Sequence, residues 1–222
     1  MAVLPEPVWT TTQQIELDPS SICSTGVRPS YMTGYLQRLL EAHFGNVDNI
    51  VDDNLKQYIW APKGTDAIDS KILIEPADRY EATALQQRPG LYVKRANVQT
   101  SRIAILDKAI THLKPNGNYE GENHFMALFG SHDIMCCARG PDGMAAERLA
   151  EEVFYMLLEY GPVIKKDIQA NVIQTPMMAA AQKVEEDGLN YAVGVKFQWA
   201  FIHAWTLKPI APILRDVRVT GR

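Results

Sequence analysis

The sequence predicts an α+β fold, a mixed, mostly antiparallel sheet with two main amphipathic helices and an extended arm at either end. Three observations carry that expectation. From Tyr191 to Leu207 the odd positions are bulky and mostly apolar while the even ones, apart from Ile202, are small or polar, which is the period of a strand. The segments Ser30 to Phe44 and Asp142 to Tyr160 instead repeat apolar residues at helical spacing. Residues 1–29 and 208–222 carry prolines and scattered aliphatics with no period at all. The chain is therefore expected to divide into an arm (1–29), a single α+β domain (30–207) and a second arm (208–222).

Each element has its own signals. In the first arm Pro5, Pro7 and Pro19 remove backbone donors, while Val8, Trp9, Ile15, Leu17 and Ile22 need a surface to lie on. Ser30 reads as the N-cap of the first helix, Met32, Tyr35, Leu36, Leu39, Leu40 and Phe44 as its stripe, and Gly45 as its stop. Lys71 to Pro76, Gly90 to Val98 and Arg102 to Leu106 are β-rich runs, and Asn116-Gly117 is a turn signal leading into a further strand. In the second helix Asp142 can cap, and Leu149, Val153, Met156, Leu157 and Tyr160 form the buried stripe. Glu147, Glu151, Glu152 and Glu159 are expected in water, and Gly161-Pro162 to end the helix. Val163 to Gln174 then reads as a strand. The last strand, at about 3.3 Å per residue, would span roughly 55 Å, so it must bend, break or protrude, with Gly194 and Ala200 as places for a bend. His203, between Phe201 and Trp205 on the bulky face, reads as a core histidine.

The stretch SHDIMCCARG, residues 131–140, holds a serine, a histidine, an aspartate and two cysteines, all residue types that enzymes use for nucleophilic chemistry. On a strand, however, Ser131 and His132 point to opposite faces, whereas a serine-histidine pair must be within hydrogen-bond reach. Cys136 and Cys137 likewise diverge and are badly placed to bridge each other. With Cys23 they make three cysteines without a CxxC pair, which predicts reduced thiols and no structural zinc. No phosphate-binding loop, GxSxG elbow or HExxH is present, so no catalytic residue, cofactor or metal is assigned. The competing enzyme reading is a hydrolase using Cys136, Cys137 or His132, with His112, His124 or His203 as partner. The formal charge of −4 argues against a dedicated nucleic-acid binder, and the chain has neither a secretory start nor 18 successive apolar residues, so a cytoplasmic site of synthesis is expected.

Oversized strands and apolar arms are features of a subunit that assembles. The segments RPGLYVKRANV, GSHDIMCCARG, AAERLAEEVFYMLLEYGPVIKKD and YAVGVKFQWAFIHAWTLKPIAPIL, which together run over residues 88–214, resemble the neck and tail-terminator proteins of tailed bacteriophages. The resemblance implies a virion protein that forms a homo-oligomeric ring, a hexamer, capping the tail tube protein and joining it to the head-side connector or stopper. DNA would pass through the lumen without sequence-specific contact, and no membrane is involved. A head-completion ring or a tube-like subunit is the alternative assembly role. The residues assigned to subunit or partner contact are Val8, Trp9, Ile15 and Leu17 of the first arm, Lys165 and Lys166, and Ile213, Leu214 and Arg215 of the last arm.

Overall fold

The structure, a computed structural model, describes residues 15–17, 29–62, 70–81, 85, 88–102, 110–113, 119–184 and 189–209; for 15–17, 102, 110–113, 119–125 and 203–209 the description is of backbone alone. The chain divides into two compact units, one made of Thr25–Ser101 and Ala127–Ile202, the other of Met1–Ser24, Arg102–Met126 and His203–Arg222.

In the smaller unit β1 (Ile15–Leu17) pairs antiparallel with the end of β9 (Asn190–Pro209), Ile15 opposite Pro209 and Leu17 opposite Leu207. The backbone of Ile15 and Leu17 thus finds its ladder within the same chain. There too β4 (Ile110–Leu113) pairs antiparallel with the start of β5 (Tyr119–Arg139), with a register shift between His112 and Leu113.

The larger unit has the expected α+β character. α1 (Pro29–Phe44) and α2 (Met144–Asp167) pack on a sheet in which β9 neighbours β5, β5 neighbours β3 (Gly90–Arg102), and β3 neighbours β2 (Leu73–Pro76) in parallel. The outer edge of β9 is covered by three fragments, β6 (Val172–Ile173), β7 (Met177–Met178) and β8 (Gln182–Lys183), all antiparallel to it. Pro176 has no N–H to give to that ladder, which accounts for one break. An edge made of short, interrupted pieces also discourages further pairing.

Strand alternation sorts the core as expected. Val193, Val195, Phe197, Trp199 and Phe201 are buried on the helix side, and from β5 so are His132, Ile134, Cys136 and Ala138. Cys137 lies on the other face in a small second cluster with Leu85 and Tyr92.

Several helix boundaries differ from expectation. α1 begins at Pro29, not after a Ser30 cap, because the first helical position needs no N–H and proline already holds the right φ. α2 has Gly143 at its N-cap with φ 71°, and Asp142 instead accepts from the Met144 N–H at 3.3 Å. A Cβ at residue 143 would stand 2.9 Å from Cδ1 of Tyr191, so the left-handed turn and the close ring both favour glycine.

The larger correction concerns residues 163–167, which are the last turns of α2 and not a strand. Gly161-Pro162 does not stop the helix. An interior proline costs about 3 kcal/mol, but Ile164 and Ile168 beyond it are both buried, and burial of each contributes about 2 kcal/mol. Only Val172 and Ile173 of the expected strand are extended. Tyr160, assigned to the buried stripe, is exposed. The expected run Arg102–Leu106 lies outside the described residues beyond Arg102, which ends β3.

β9 and β5 are held against each other at Gly130, where an added Cβ would collide with the six-membered ring of Trp199. The indole occupies the space a side chain would need. Gly130→Ala is therefore expected to destabilise the protein by about 3 kcal/mol, the upper range for overpacking a core, read as a lowered urea midpoint with an unchanged slope.

Candidate functional site

The segment richest in reactive side chains is a packing site. His132 is fully buried. The Trp199 indole N–H donates to its Nδ1 at 3.1 Å, and its Nε2 lies 3.1 Å from the Thr33 hydroxyl of α1. An indole nitrogen only donates, so Nδ1 is the acceptor and the proton resides on Nε2. Burial drives the His132 pKa down to about 4, opposed by a hydrogen bond to the Pro29 backbone and assisted by the Arg95 guanidinium. The imidazole is thus a neutral link between α1, β5 and β9.

Ser131 faces away and its hydroxyl accepts from the Asn97 N–H at 3.3 Å. The thiols of Cys136 and Cys137 are buried and free, and burial raises both, that of Cys137 to about 12. Neither is a thiolate at neutral pH. Cys23 lies outside the described residues, as do the side chains of His112, His124 and His203. Among the described residues no three His, Cys, Asp or Glu side chains gather in a way that could hold a metal.

A second buried polar site escaped the sequence reading. Glu152, expected in water, is buried on α2. Its Oε1 accepts from His43 Nε2 at 2.9 Å and from the Val51 N–H at 3.1 Å, and its Oε2 from the Asp52 N–H at 3.2 Å. Burial pushes this carboxyl up, but the three donors outweigh it and the net shift is downward. The signal was present in the spacing: residue 152 stands three after Leu149 and four before Met156, on the margin of the buried stripe. Without His43 and the 51–52 loop at hand, that margin reads as a wet face.

Among the described residues, three surfaces present side chains to solvent in a way that suits a partner. From Lys94 to Ser101 every residue of β3 is exposed, on both faces of the strand. On the side of the sheet away from the helices, Lys94, Asp133, Met135, Met177 and Lys196 help to line a groove of about 460 Å³. On α2, Tyr155 and Leu158 are 57 % and 44 % exposed, too much for core residues of an amphipathic helix. Exposed Glu151 and Glu159 flank them.

No family model matches this sequence, and no curated protein does.

Of the residues assigned to contact, Lys165 and Lys166 are exposed in the last turn of α2, where cations suit the helix dipole. They are one turn from the Tyr35–Asp167 hydrogen bond of 3.1 Å that ties the two helices. Val8, Trp9, Ile213, Leu214 and Arg215 lie outside the described residues.

Two predictions follow from the buried polar groups. The folded protein holds His132 at about 4 against an ordinary 6.5, so the unfolded chain binds the extra proton between those values. The resulting stability is complete above pH about 6.5 and lost on acidification toward pH about 4, about 3 kcal/mol in all. Urea denaturation across that range measures the slope, and His132→Gln should flatten it. Glu152→Ala leaves His43 and two backbone donors without an acceptor and is expected to cost about 3 kcal/mol, measured by thermal and urea unfolding.

Proposed function

We propose that this chain is a ring-forming subunit of the neck of a tailed bacteriophage, a tail terminator that caps the tail tube and meets the head-side connector, with DNA passing through the ring. The observation that carries the reading is the pair of apolar surfaces on opposite layers of the larger unit, the Tyr155–Leu158 stripe on α2 and the methionine-lined groove behind the sheet. A subunit that closes head to tail into a ring presents a different surface to each neighbouring copy and so needs two of them.

Other features support the same reading. Of the reactive-looking segment, Ser131, His132, Cys136 and Cys137 are buried and engaged in packing, which gives these residue types a structural use. The net charge of −4 suits a lumen through which a duplex slides, because many phosphate contacts would hold it. No helix among the described residues is long and apolar enough to cross a membrane. The segments that resemble neck and terminator proteins hold most of β3, the end of β5, α2 and β9, which carry the stripe and, together with β7 and β8, line the groove.

The test is the native mass of the purified chain over a concentration series, with imaging of the dominant species. A closed ring is the expected result; an open stack of indefinite length would point to a tube-like subunit instead. Replacing Val8 and Trp9 of the first arm by serine is expected to leave the melting temperature within about a degree and to weaken assembly or docking to isolated tails.

A further inference from the structure

The two apolar surfaces of the larger unit match each other in chemistry. On α2, exposed Tyr155 and Leu158 stand at i, i+3, with exposed Glu151 and Glu159 one turn before and after Tyr155, so the stripe is apolar at its centre and acidic in the adjoining turns; the exposed Lys165 and Lys166 lie past those acids, beyond Pro162. The groove behind the sheet has the opposite margins: Met135 and Met177 supply an adaptable apolar floor, and Lys94 and Lys196 outnumber the single acid of its lining, Asp133. Their placement is fixed by alternation. Met177 pairs with Lys196 across β7 and β9, on the face opposite the buried Val195 and Phe197 against which α2 packs. One surface is therefore in the helical layer and the other behind the sheet, and no copy can fill its own groove with its own α2.

We propose that the occupant of the groove is the α2 stripe of a second copy of this chain. Contact of this kind is heterologous, since each copy uses a different surface toward each neighbour and has one of each left over until the assembly closes. The inference rests on the ring reading for closure, but not for the contact itself.

Two double variants separate the surfaces: Tyr155→Asp with Leu158→Asp on α2, and Lys94→Glu with Lys196→Glu in the groove. All four positions have side chains in contact with solvent, and thermal melts establish that each variant folds; one that does not is replaced by the milder Leu158→Ser or Lys196→Gln. Native mass spectrometry is then run on the full chain, on each variant and on their equimolar mixture. The wild-type chain should form a ring, and each variant alone should be monomeric, with self-affinity lowered at least about 100-fold by the loss of central apolar contacts or the reversal of charge. The mixture should give one heterodimer and nothing larger, because one variant retains a sound groove and the other a sound α2. Variants that assemble like the wild type overturn the docking inference and leave the ring reading standing. A wild-type chain that grows into open polymers, with the mixture still stopping at the heterodimer, keeps the docking and overturns the ring. A wild-type chain that stays monomeric throughout overturns the docking.

Discussion

The larger unit depends on the way Trp199 is seated. Its indole lies over the backbone of β5 because residue 130 has no side chain, its N–H ends on His132, and His132 reaches Thr33 on α1. Three elements distant in sequence are fixed by one side chain and one glycine. An indole that buries about 200 Å² contributes about 5 kcal/mol by transfer alone. The two hydrogen bonds add less to stability than to uniqueness, since a buried indole N–H or imidazole nitrogen without a partner would cost about 1–3 kcal/mol. The contact thereby selects one register of β9 against β5, and a slip by one residue would move Trp199 to the other face.

A second polar tie works toward the other end of α1. Glu152 gathers His43 and the N–H groups of Val51 and Asp52, so the irregular segment after α1 is held to α2 by a carboxylate whose accepting positions are filled from three directions. Buried charge is tolerated there because the donors replace the water it gave up. Both polar sites use residues that elsewhere serve catalysis, and both spend them on joining elements. The hydrogen-bond partners, not the residue types, distinguish the two uses.

With its interior accounted for, the unit is left with unusual surfaces. Both faces of β3 are exposed from Lys94 to Ser101, Met135 and Met177 line a groove behind the sheet, and Tyr155 and Leu158 stand exposed beside the acids Glu151 and Glu159 of α2. Burying Ile164 and Ile168 carries α2 past Pro162 and extends its outer side by another turn and a half, ending in Lys165 and Lys166. The rule that keeps the helix intact thus also lengthens the surface it presents.

By itself the sequence determined what depends on local period. The alternation of Val193 to Phe201 named the buried face of β9 residue by residue. The same argument placed Ser131 and His132 on opposite faces, and the stripe Met32, Leu36, Leu40, Phe44 defined α1. What it misjudged depended on neighbours remote in the chain. Gly161-Pro162 is a local stop signal, overridden by burial of isoleucines that only the folded core provides. Glu152 is a surface residue by type and a core residue by partners, 109 positions away from His43. Gly130 looks like any strand glycine until Trp199 arrives from residue 199. Tertiary structure decided these because periodicity reports which side of an element is apolar, whereas the identity of the group facing that side is a long-range fact that no local pattern encodes.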